Sequence, residues 1–153
     1  MKPITHPFIL KPGLWLGEGK IKLSMLEDEL DFLTRWKVPQ ANKKGKINSI
    51  QEIQIKSIQE TMRNQLAFFD FSKKNFNIEL ENQSFGKVIG KGLISEKIIG
   101  WEFRLNSLGF EGFEFYEATK DIKTYLMHAE YSTTDDFRTI IHGKIWKAED
   151  QDA

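Results

Sequence analysis

The chain contains no cysteine. Disulfides, thiolate nucleophiles and cysteine-based zinc sites are therefore excluded. Net charge is missing too: 22 Lys and Arg balance 22 Asp and Glu, so no overall field draws in a polyanion, and nucleic acid is not an expected partner. The one basic run, Asn42-Lys43-Lys44-Gly45-Lys46, has no interleaved aromatics to stack on bases and reads as a solvated loop. No stretch approaches the roughly 18 apolar residues of a membrane helix, and the opening Met1-Lys2-Pro3-Ile4-Thr5-His6-Pro7 breaks a signal-peptide core before it forms. A cytoplasmic location with no membrane partner is the expectation. Metal-ligand spacings, a Walker loop and a nucleophile elbow are also absent. Gly86-Lys87-Val88-Ile89-Gly90-Lys91-Gly92 is glycine-rich but alternates like a strand, and its glycines read as barrel bends.

What is present is aromatic surface and alternation. Twelve Phe, four Trp and three Tyr stand against four Pro, a balance that suits pleated, half-buried strands. Period-two patterning recurs from Trp15 to Trp146. Trp15, Gly17, Gly19, Ile21 and Leu23 share one face of the first run; Leu30, Phe32, Thr34, Trp36 and Val38 share one face of the second, which Pro39 ends. Further runs span Ile47–Ile58, Thr61–Phe71, Phe76–Glu81, Phe85–Ser95, Ile98–Leu105, Phe110–Ala118, Ile122–Tyr131 and Phe137–Lys147. Within 47–63, Ile50, Ile53, Gln54 and Ser57 also fit a helical spacing. About ten strands with short connections predict an all-β fold, an antiparallel up-and-down barrel that removes exposed edges. The length suits one domain over 1–153, with a lead-in segment 1–12 and a short tail 148–153.

The segment Pro12-Gly13-Leu14-Trp15-Leu16-Gly17-Glu18-Gly19 resembles the strand opening of calycin-type barrels: lipocalins, fatty-acid-binding proteins and, most closely, nitrobindin-like proteins. Physically, Gly13 frees the backbone to turn inward, Trp15 can plug one end, and Gly17 and Gly19 allow a bend or leave interior space. The resemblance implies a cavity for a small hydrophobic molecule. In nitrobindin-like proteins it implies haem held by a histidine near the C-terminal strand, about where His142 lies.

Trp15, Trp36, Trp101, Phe103, Phe115, Tyr125 and Tyr131 are the expected interior wall, which either lines a pocket or fills the barrel. His142 shares its face with Ile140 and Trp146 and is the expected inward polar contact; a buried neutral histidine answers to the same pattern. His128 and Glu130 share a face, as an exposed polar pair or as an acid–base pair. Glu102 with Arg104, and Glu111, Glu114 and Glu117, read as surface charge. His6 reads as a surface residue. The leading expectation is a non-enzymatic binder of a small hydrophobic or amphipathic ligand. Three alternatives stand beside it: a haem barrel using His142, an enzyme using His128 with Glu130 or Arg104, and a filled interaction module with an exposed apolar patch. Oligomeric state is left open.

Overall fold

A computed structural model describes residues 6–58, 60–82, 86–104, 109–133 and 138–148. The described residues form ten strands: β1 (Gly13–Leu23), β2 (Leu30–Val38), β3 (Ile47–Ile55), β4 (Glu60–Phe69), β5 (Asn75–Asn82), β6 (Gly86–Ile94), β7 (Ile98–Phe103), β8 (Glu111–Ala118), β9 (Thr124–Ser132) and β10 (Arg138–Lys147). Each pairs antiparallel with its neighbours in sequence, and β1 pairs with β10 to close the barrel. The fold is all-β. Expected strand ends at Phe85, Leu105 and Phe137, and turn residues Gln83, Asn106, Ser107, Leu108 and Thr134–Asp136, lie outside the described residues.

Alternation sets the faces. Phe32, Thr34, Trp36 and Val38 of β2 are buried, while Asp31, Leu33, Arg35 and Lys37 between them are exposed. The stretch that also fits a helix is extended instead: β3 turns at 56–58 and returns as β4, with Ile53 inside and paired across to Met62. Cross-strand pairing outweighs the local helical spacing here, because nine residues pair on each side and each ladder bond satisfies a backbone group that burial would otherwise orphan.

Inward glycines do not leave space, contrary to one reading of Gly17 and Gly19. A Cβ on Gly92 would fall 2.1 Å from the ring of Phe76, its cross-strand partner. A Cβ on Gly19 would fall 2.2 Å from the His142 carbonyl and 2.9 Å from the Phe32 ring. Aromatic side chains from neighbouring strands thus lie over the glycines, and Gly19 meets Gly143 across the closing seam.

One end of the barrel is stoppered by the segment before β1. Phe8 and Ile9 are fully buried. The Phe8 ring meets Tyr116 at 4.6 Å, Trp15 at 5.2 Å and Trp36 at 5.3 Å between centroids, edge-on or tilted as ring quadrupoles favour. Ile9 holds a left-handed φ of 56°, a costly state for a β-branched residue that its burial over-determines. His6 is not a surface residue: it is buried, with Nδ1 2.8 Å from the Tyr125 hydroxyl and Nε2 2.6 Å from the Ser95 carbonyl.

Candidate functional site

The interior is apolar with a polar belt across it. The pairing register carries one row of inward positions through Trp15, Trp36, Gln51, Asn64 and Asn82 on β1 to β5. Asn82 donates to the Asn64 carbonyl oxygen, and Asn64 donates to Gln51 Oε1 at 3.0 Å. Gln51 is buried, and its Nε2 has no partner. Nearby hydroxyls are spent on the backbone: Thr34 Oγ1 donates to the Glu52 carbonyl and Ser49 Oγ to that of Leu66.

Opposite this ladder stands a buried carboxylate. Glu114 on β8 is 6% exposed. The Tyr116 hydroxyl donates to its Oε2, and the Tyr131 hydroxyl donates to Oε1 at 2.6 Å. Burial pushes the Glu114 carboxyl above its ordinary value, and the two tyrosine hydrogen bonds oppose that shift without cancelling it. Both tyrosines are driven well above their ordinary value, first by burial and then by the Glu114 charge. Behind them stand two indoles: Trp36 acts on Tyr116 and Trp101 on Tyr131, yet neither N–H closes a hydrogen bond of good geometry. The Trp15 N–H is also unpartnered. At the stoppered end, burial pushes the Tyr125 hydroxyl up to about 12.

The barrel brings most of the expected wall together. Trp15, Trp36, Trp101, Phe103 and Tyr125 are buried, and Tyr131 is half-buried with its hydroxyl on Glu114. Trp36 and Trp101 meet at 6.2 Å, and Trp101 and Tyr116 at 5.6 Å. Two expected inward residues lie outside. Phe115 is on the outer face, parallel to Phe113 within 7° and 5.4 Å from the His128 ring. His142 is outside as well, with its Nε2 2.8 Å from Glu29. The reason is phase: on β10 the inward set is Ile141, Gly143 and Ile145, which face Ala129, Met127 and Tyr125 of β9.

Glu114 reverses the surface-charge expectation for β8. Successive strand residues alternate, so Glu114 cannot share a face with both Glu111 and Glu117. Gln51, Asn64, Asn82 and Tyr116 were not anticipated; the inward phase of the first three was visible beside Ile53, Leu66 and Leu80. His128 and Glu130 do pair, Nε2 to Oε2 at 3.1 Å, on the outer face. Arg104 is exposed and pairs with Glu102 at 3.0 Å. An open groove of about 540 Å³ also lies outside, over Gly100 and beside Leu93, Phe113 and Phe115.

Histidine-held haem does not fit this interior. All three histidines are described: His6 is engaged at both nitrogens in the stopper, and His128 and His142 are outside. Among the described residues, no group of three or more His, Asp or Glu could hold a metal ion, and no helix is long and apolar enough to cross a membrane.

Neither the protein-family models nor the curated proteins contain a match to this chain. Solved structures do match. Rv2717c from M. tuberculosis superposes with a TM-score of 0.70 at 10% identity, covering 95% of this chain and all of that one. A chain described as a candidate AttH from Nitrosomonas europaea gives a TM-score of 0.38 at 10% identity, with 91% of this chain matched to 52% of that one. At such identity the likeness to Rv2717c is one of fold: a closed barrel of ten antiparallel strands, compatible with binding a ligand inside.

Proposed function

We propose that the barrel binds one small hydrophobic or amphipathic molecule in its interior and does not transform it. Trp15, Trp36, Trp101, Phe103, Tyr125 and Tyr131 form the apolar wall, whose burial of a ligand contributes roughly 25 cal/mol per Å². The polar belt fixes its orientation.

One observation carries this reading. The Gln51 Nε2 group is buried without a partner, and the Trp36 and Trp101 N–H groups meet only the Tyr116 and Tyr131 hydroxyls in poor geometry; a buried donor left unsatisfied costs about 1–3 kcal/mol. A molecule that supplies acceptor atoms offsets that penalty, which a filled structural core would gain by eliminating. An enzymatic reading through His128, Glu130 or Arg104 loses its support, since those groups lie outside.

Native mass spectrometry of the purified chain, with released small molecules identified after denaturation, tests the proposal. The expected result is a one-to-one adduct that denaturation removes. A bare chain that also fails to take up a neutral dye such as Nile red saturably would contradict it, and would favour an interaction module using its outer groove.

A further inference from the structure

Resting on the binding reading above, we propose that the interior selects a ligand with a neutral oxygen acceptor, such as a ketone or amide carbonyl, and rejects the matching carboxylate. Glu114 is the residue that sets this choice.

Two observations narrow the class together. The under-satisfied groups in the belt, Gln51 Nε2 with no partner and the Trp36 and Trp101 indole nitrogens with only poorly aligned tyrosine hydroxyls, are all donors, so the complementary group is an acceptor. That alone would admit a fatty acid. The second observation excludes it: Glu114 is buried, and among the described residues no lysine or arginine is buried with it. A second carboxyl would enter a closed barrel interior that already holds one and offers no cation; because like charges at short range in a low dielectric repel strongly, one of the two would have to take up a proton, which weakens carboxylate binding near neutral pH. Tyr116 and Tyr131 cannot relieve the repulsion, because their hydroxyls already donate to Glu114. An ammonium head avoids the repulsion but has no lone pair for the three N–H groups. A neutral carbonyl satisfies both conditions.

Geometry keeps these groups in one neighbourhood. Trp36 is the cross-strand partner of Gln51. Its ring lies 6.2 Å from Trp101 and 6.4 Å from Tyr116, whose hydroxyl reaches Glu114. Donors and carboxylate therefore border the same part of the barrel interior.

The test uses two isosteric trios: 2-acetylnaphthalene, 2-naphthoate and 2-ethylnaphthalene, and 2-decanone, decanoate and decane. Binding is followed by calorimetry and by the indole N–H resonances of the intact chain. Within at least one trio the ketone is expected to bind at least about tenfold tighter than the carboxylate, a difference of about 1.4 kcal/mol, and to move the Trp36 or Trp101 N–H signal downfield. Glu114→Gln is expected to bring the carboxylate within about threefold of the ketone. Gln51→Leu is expected to weaken the ketone while leaving the hydrocarbon unchanged, which keeps the test independent of whether Glu114→Gln folds. Ketone and carboxylate binding equally to the native chain would overturn the selection by Glu114 while leaving the binding reading intact. If no member of either trio binds, the binding reading itself falls and takes the inference with it.

Discussion

The two faces of β8 invert the usual rule. Its inner face carries Gly112, Glu114, Tyr116 and Ala118; its outer face exposes Phe113 and leaves Phe115 half-buried. A strand read alone would turn its phenylalanines inward. What fixes the phase is the neighbours: Tyr116 pairs with Met127 and Glu114 with Ala129, both inward on β9. Residue composition states a preference, and register decides it, because a one-residue slip would reverse every side chain of the strand. The polar residues tolerated inside are then the informative ones.

The sharpest way to break this comparison is to truncate one aromatic on each face. Tyr116→Ala is expected to cost about 3–5 kcal/mol, as for other buried aromatics, and Phe115→Ala about 1 kcal/mol, measured by urea unfolding. A larger cost for Phe115→Ala than for Tyr116→Ala would mean that the strand's phase is reversed. Next in size is Gly100→Ala on the floor of the outer groove. A Cβ there would lie 2.7 Å from both the Glu114 carbonyl and the Phe115 Cβ, so a loss of about 1–3 kcal/mol is expected from overpacking. No loss in thermal unfolding would show that β7 and β8 can part freely.

The charge on the inner face gives a pH signature. Burial raises the Glu114 carboxyl above its ordinary 4.5, so the folded chain keeps that proton to higher pH than the unfolded chain does. Its contribution is fully present below 4.5 and is lost as pH climbs through the folded-state value. Stability is therefore expected to decline over that window, and Glu114→Gln to flatten the decline, in denaturant series taken at several pH values. An unchanged slope would remove Glu114 from the interior. The smallest effect belongs to the outer face of β10: His142→Ala is expected to change stability by no more than about 0.5 kcal/mol and to leave ligand uptake unaltered.

Much of the barrel was legible in the sequence. β2 begins and ends where its alternation does, and the inward sets of β1, β2 and β9 follow their apolar residues. His142 and Phe115 misled for one physical reason. On β10 bulky residues occupy both phases, Ile140 and Trp146 outside and Ile141 and Ile145 inside, and on β8 Phe113 and Phe115 lie on the face opposite Tyr116, so side-chain size alone does not mark the inner face. The polar belt was hidden differently. Gln51, Asn64 and Asn82 belong to three strands, and no spacing along the chain joins residues that only the cross-strand register aligns. His6 gave no sign of burial either, since its partners Tyr125 and Ser95 lie about 90 residues or more away in sequence.

A carbon-13 NMR titration of the Glu114 side-chain carboxyl tests the inward carboxylate most directly. A midpoint above 4.5 that rises further when Tyr131→Phe removes one hydrogen bond to the charged form is the expected result. A Glu114 that titrates at or below 4.5 and does not respond to Tyr131→Phe would contradict the buried, tyrosine-held carboxylate, and the proposed selectivity would go with it.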